Sequence, residues 1–350
     1  MSGSEGIASV VLERAEWRAR EAAHEERADA FTAGWRARRA TGESHPVDDF
    51  LFTYYPVKPS VLRRWHPGAG IALADAVEEP RARWKWYRPS DAGHDAGHDT
   101  GAGPRRAATV ADGIRADDLR RGDESRAVEV DADAYATVRA SSIAFIRDLL
   151  TRTAEREARF GCFGLHEWAM VYRLGADELR HRTPLRLSPA ETDAVVEGHR
   201  IGCTHFDAFR FFTPEASPRN LLQPTRETQL DLEQPGCLHA GMDVYKWATK
   251  LGPLVPGELL LDAFELARDI RSLDMQASPY DVRDYGLPPV AIETDAGKRA
   301  YVAAQRGFAA RGQALRGRLV AAIDHAHAVA GGAPSADAVA RSGIRRTRAA

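Results

Sequence analysis

The chain has 350 residues, 44% of them hydrophobic, enough apolar material for one large or two ordinary domains with a buried core, which excludes a binding peptide or a disordered tail. Its formal net charge of −2 excludes a whole-surface DNA clamp, so a nucleic-acid partner would need a local arginine patch. Cys162, Cys203 and Cys237 are odd in number and lack metal-finger spacing, and no leader or membrane-length apolar run is visible, so the expectation is a cytoplasmic protein with no membrane partner.

Residues 8 to 41 read as a charged amphipathic helix with Trp17 on its apolar side, ending near Gly42. The aromatic segment that follows, broken by Pro56, Pro59 and Pro67, predicts a short helix or turn packed on a core, and RWKWYR at 83–88 a short alternating strand. The whole of 8–88 is thus expected as an N-terminal helical segment packing on the core. Residues 89–125, with the near-repeat DAGHDAGHDTGAG, lack large apolar side chains and read as a flexible insertion, in which His94 and His98 are solvated rather than metal-binding. From Tyr135 onward apolar periodicity returns, and 126–328 is expected to be a helical core carrying the active site, closed by a long Ala- and Arg-rich helix over 296–328 and a loose tail at 329–350. Strand candidates are few. The predicted fold is therefore mainly α, a multi-helix globular fold with room for a small β element.

Four clusters within that core carry chemistry. FGCFGLHEWAMVYRL holds His166 beside Glu167, whose directions differ by about 100° on a helix so that they need not serve one site, and Trp168 four residues before Tyr172. CTHFDAFRFFTP sets His205 and Asp207 among Phe206, Phe209 and Arg210. A carboxylate among rings is desolvated, which suits a general acid or poised base, although Asp207 could equally cap a helix or pair with Arg210. In QPTRETQLDLEQPG, Arg226 sits between prolines and Thr225 is the expected N-cap of a short helix. CLHAGMDVYKWATKL places His239, Asp243, Lys246 and Lys250 along one helical stripe, next to Tyr245 and Trp247. Of 48 basic residues only five are lysine, and two of these lie on that stripe, so they are poor candidates for plain surface filler.

Farther on, Leu259, Ala263, Leu266, Ile270 and Leu273 predict the buried face of a helix, with Glu258, Asp262, Glu265 and Asp269 together on another face. Four neighbouring acids repel, so a cationic group is expected opposite them: Lys246 and Lys250, an arginine-rich helix, or a metal.

The strings FLFTYYPVKPSVLRRWHPG, FGCFGLHEWAMVYRL, CTHFDAFRFFTP, QPTRETQ, EQPGCLHAGMDVYKW and ELARDIRSLDMQASPYD resemble an actinobacterial family labelled 3-methyladenine DNA glycosylase, over most of residues 10–325 apart from the insertion. The resemblance implies a DNA-repair N-glycosylase that excises alkylated purines by carboxylate-assisted cleavage of the glycosidic bond, with DNA containing an alkylated base as partner and no required cofactor. No helix-hairpin-helix, HEAT-like repeat or zinc-ligand set is visible, so residue roles come from side-chain chemistry. Asp207, Asp243, His239, Lys246 and Glu167 are the catalytic candidates; Trp168, Tyr172, Phe206, Phe209, Tyr245 and Trp247 the stacking surfaces; Arg210 and Arg226 the phosphate contacts. Two alternatives remain. In one, His166, His205, His239 and Asp243 hold iron or manganese in an enzyme acting on a small molecule. In the other, the chain is a non-catalytic helical interaction protein.

Overall fold

Among the described residues a short strand comes first, where sequence periodicity predicted helix. The computed structural model describes residues 9–90, 92, 127–175, 177–179 and 183–331; His94 and His98, and all of the tail after 331, lie outside these residues. β1 (Val10–Leu12) pairs in parallel with β2 (Ile71–Leu73), and β4 (Val128–Val130) runs antiparallel between β2 and β3 (Tyr87–Pro89), giving the order β1-β2-β4-β3. Strand formation at 10–12 depends on a partner some sixty residues away, with Val11 opposite Ala72, which local periodicity does not reveal. The strand predicted at 83–88 forms only from Tyr87, because Pro80 opens a 3-10 turn that runs to Arg83. Glu129, buried in the central strand, is held by Arg88, Ser90 and Ser9.

α1 (Arg14–Thr41) buries Trp17, His24, Ala28 and Thr32, a stripe at helical spacing, and ends where Gly42 takes the left-handed conformation (φ 76°) favoured by glycine. Short helices α2 (Phe50–Tyr54) and α3 (Pro59–Leu62) follow. Four long helices make the body of the core: α4 (Ala132–Glu155), α9 (Leu238–Leu251), α10 (Gly257–Ala277) and α11 (Asp295–Val329). α11 packs on all three of the others, and α9 packs on α10. Between α4 and α9 lie α5 (Leu165–Ala169), α6 (Pro189–Glu197), α7 (Phe206–Phe209) and α8 (Gln229–Leu232). α6 opens with a complete capping box, Ser188 and Glu191 bonding reciprocally. The fold is thus mainly α with a small four-stranded sheet. None of the described helices is long and apolar enough to cross a membrane.

The acidic face of α10 meets arginines. Arg20 reaches Glu258 at 2.9 Å, Arg27 reaches Asp262 at 2.7 Å and Glu265 at 2.8 Å, Arg318 reaches Asp262 at 2.7 Å and Arg311 reaches Asp269 at 2.8 Å. Of the three cationic groups expected, an arginine-rich helix is the one found, since α1 and α11 flank α10 while Lys246 and Lys250 point elsewhere. Where α9 crosses α10 the fit is close: a Cβ on Gly241 would stand 2.8 Å from Ile270 Cδ1. On one side of that close approach His239 of α9 comes near Asp274 of α10.

His66, beside the sheet, has its Nδ1 2.9 Å from the Tyr87 hydroxyl. Burial, then the nearby Arg64 and Arg81 cations, push its imidazole down to about 3. His24, in the same layer, is also lowered, chiefly by burial. Both groups are neutral in the fold but protonate readily once unfolded. The His66 contribution to stability is intact above the unfolded value of about 6.5 and falls away as pH drops toward 3, by at most ~1.4 kcal/mol per pH unit, and His24 acts in the same direction. Melting temperature measured from neutral to acid pH should fall across this range, and fall less in His66→Gln; parallel curves would remove His66 as a source of acid sensitivity.

Candidate metal centre

Gly164, in the left-handed conformation (φ 74°), ends the loop before α5 and turns His166 and Glu167 inward together. His166 Nε2 lies 2.9 Å from Asp274 Oδ1, and Cys162 Sγ lies 3.5 Å from His166 Nδ1. Arg271 Nη1 donates to Glu167 Oε1 at 3.2 Å and to Asp274 Oδ2 at 3.3 Å. Although adjacent on a helix, His166 and Glu167 therefore serve one group, because Arg271 and Asp274, three residues apart on α10, span the angle between them.

His205 N-caps α7 with an extended backbone, which aims its ring into the core. Its Nε2 stands 3.4 Å from Asp243 Oδ2 and 3.5 Å from Glu233 Oε1, yet neither ring nitrogen finds a hydrogen-bond partner. Asp243 also accepts from the Tyr55 hydroxyl at 2.7 Å and from Lys246 Nζ at 2.8 Å. Glu233 accepts from Gln229 Nε2 at 2.5 Å. Asp207, the second residue of α7, diverges from His205 toward the surface, where Lys246 Nζ reaches it at 2.9 Å and Arg210 Nε at 3.3 Å.

His239 joins the two groups. Its ring stands edge-on to His166 at a centroid distance of 4.4 Å and nearly parallel to His205 at 5.4 Å. Two sets of donor atoms converge as a result, each set within 4.8 Å of one another: His166, Glu167, His239 and Asp274; and His205, Glu233 and Asp243. All seven side chains are buried.

Electrostatics within this core are strongly divided. Burial, and then proximity to His166, holds the His239 imidazole well below its ordinary value, so it is neutral and carries a free lone pair. Burial opposes charge on His166 and His205 as well, but Asp274 raises the first well above the ordinary range, and Asp243 with Glu233 raises the second. Burial works against the Asp243 carboxylate, yet His205 and Lys246 hold it ionised, below the usual range. Burial and the Asp274 charge raise Glu167, and burial raises Glu233.

On the outer side of Asp243 a cleft of about 390 Å³ opens between Tyr54, Tyr55, Pro56, Val57, Asp207, Arg210, Lys246, Thr249 and Lys250. Asp207, Lys246 and Arg210 are the sequence candidates that reach it. Several expected stacking surfaces do not. Trp168 is wholly buried with its indole N–H bonded to Ala277 O at 2.9 Å, Tyr172 is buried with its hydroxyl on Glu197, and Tyr245 is buried with its ring against Tyr55 and Phe264. These are core side chains, Trp168 and Tyr245 on the inward faces of their helices and Tyr172 in the turn after α5. Trp247 is buried beneath Lys246 and Lys250, Phe206 lies under the Arg226 guanidinium at 5.4 Å, and Phe209 packs on Phe212 at 5.1 Å. The predicted cap Thr225 instead bonds within a turn, its hydroxyl accepting from the Thr228 N–H at 3.3 Å, and α8 begins after Thr228.

Sequence reasoning singled out neither Glu233, Arg271 nor Tyr55, and left Asp274 outside the candidate set. Tyr55 lay in an aromatic segment with no polar partner in view, and Glu233 in a loop read for its threonine cap. Comparison with protein-family models, with curated proteins and with solved structures found no match.

Proposed function

We propose that this chain is a metal-dependent enzyme acting on a small molecule, with iron or manganese held by the buried histidines and carboxylates. The observation that carries this reading is His205: a fully buried imidazole between two carboxylates, 3.4 and 3.5 Å away, with no hydrogen bond to either. Contacts of this length leave both ring nitrogens without a hydrogen bond in a buried place, a cost that an ion bound between the imidazole and the two carboxylates would remove. Imidazole with carboxylate, and no thiolate in either set, suits iron or manganese over zinc in a cysteine site.

The two sets differ in character. His166, Glu167, His239 and Asp274 offer four protein donors in an enclosed place, the pattern of a closed site. His205, Glu233 and Asp243 offer three, the number that leaves a position for a substrate atom, and Tyr55 and Lys246, which bond Asp243, line the cleft. A bound ion would supply Lewis-acid or redox chemistry there. The chain's own groups have separate tasks: Tyr55 orients Asp243, Lys246 keeps both Asp243 and Asp207 ionised, and Arg271 balances Glu167 against Asp274.

A second reading, an N-glycosylase on alkylated DNA, is favoured by one feature: Asp207 on the wall of a cleft flanked by Tyr54 and Tyr55, which could stack a flipped base. Elemental analysis of protein purified without chelator, run beside a methylated-base release assay on the same preparation, separates the two. Near-stoichiometric iron or manganese that drops at least severalfold in His205→Ala supports the metal enzyme. A metal-free, folded protein that releases methylated base would overturn it.

A further inference from the structure

We propose that the cleft beside Lys246 binds the oxyanion end of a small molecule, a carboxylate or a phosphate, between Lys250 and Arg210, while Tyr54, Pro56 and Val57 enclose its body. That this molecule is the substrate rests on the metal-enzyme reading; that it binds requires no metal.

The charge pattern of the cleft is the starting point. Three cations, Arg210, Lys246 and Lys250, line it against one carboxylate, Asp207. Asp207 is already balanced by Lys246 at 2.9 Å and Arg210 at 3.3 Å, and Lys246 is shared with Asp243. Lys250 has no ion-pair partner among the described residues, and neither has Arg226, whose guanidinium lies over the Phe206 ring instead. Lys250 stands one helical turn beyond Lys246, so the two ammonium groups share a face and repel. Both also lie over the Trp247 ring, at 4.6 Å and 5.2 Å, which fixes their stems side by side. Partial burial, and then Lys246, hold the Lys250 ammonium below its ordinary value, as expected where positive charge is unrelieved.

An anion placed between Lys250 and Arg210 removes that repulsion and receives charge-assisted hydrogen bonds. The rest of the cleft is aromatic and aliphatic, which suits a compact organic body rather than a free inorganic ion. Its volume, about 390 Å³, is at the small end for ligand sites. The lysines argue in the same direction: in a chain with five lysines among 48 basic residues, two line this one cleft.

The test uses the full chain after chelator treatment, titrated calorimetrically with phenyl phosphate, benzoate and inorganic phosphate. Saturable binding of phenyl phosphate or benzoate is expected, weakened by added salt and weakened about tenfold in Lys250→Gln, the loss of one charge-assisted bond. Arg226→Gln, farther from the cleft, should weaken it less. Both side chains are exposed, so an unchanged melting temperature confirms that the variants fold. Preference between the two organic probes identifies the oxyanion as phosphate or carboxylate. Absence of binding by both in the wild-type chain, or equal affinity in Lys250→Gln, overturns the proposal. Metal content, measured separately on untreated protein, tells its failure apart from failure of the metal reading: metal without anion binding overturns this inference alone.

Discussion

Asp243→Ala should destabilise the chain by about 3–5 kcal/mol, the cost of leaving a buried charge without its partner. Asp243 accepts from Tyr55 at 2.7 Å and Lys246 at 2.8 Å, and lies 3.4 Å from His205. Its removal orphans the tyrosine hydroxyl and deprives a largely buried ammonium of one of its two acids. Asp207 keeps hold of Lys246, but from the cleft side, where water screens the pair. Two further variants locate the effect. Asp243→Asn retains the hydrogen bond to Tyr55 and should lose less, and Asp243→Ala combined with Lys246→Met should recover part of the loss by removing the stranded cation. Urea unfolding of the four proteins measures this. A loss below about 1 kcal/mol in Asp243→Ala would mean that water reaches the carboxylate and that the buried network is weaker than its geometry implies.

Arg271→Met should be nearly as costly to metal-free protein, for the converse reason. Glu167 and Asp274 share the Arg271 guanidinium at 3.2 and 3.3 Å, and without it two buried carboxylates have His166 as their one cationic histidine, His239 being neutral. Methionine keeps much of the packing against Phe50, over which the guanidinium lies at 3.9 Å, so the loss reports charge more than cavity. In wild-type protein Arg271 competes with any ion for the same two carboxylates. In the variant that competition is gone, and a divalent ion can take the place of the lost charge. Excess manganese should therefore raise the melting temperature of Arg271→Met more than that of the wild type, with stabilisation reaching about 4 kcal/mol at a thousand times the dissociation constant. Chelator should reverse it. A variant whose melting temperature is indifferent to manganese would exclude His166, Glu167, His239 and Asp274 as an ion site.

Much about this chain is decided over distances of a few residues. The helix that buries Trp17 and its stop near Gly42, the buried face of 257–277 and the long closing helix over 295–329 are local periodicity and capping, legible in the sequence, although the burial of His24 and Thr32 on the first of them is not. The alignment of His239, Asp243, Lys246 and Lys250 on α9 is of the same kind. Which groups those side chains meet is not. Tyr55 is 188 residues from the Asp243 it bonds, and His166 is 108 from Asp274. These pairs exist because α9 and α10 cross closely at Gly241 and because Tyr55 at the end of α2 and His166 on α5 reach them. The acidic face of α10 shows the same limit: four acids in register announced a cation, but only the placement of α1 and α11 on either side selected arginines over Lys246 and Lys250. Sequence records the period of each helix because the backbone repeat is local. The partner across a core depends on how separate helices cross, and that is settled only when the whole apolar surface is buried together.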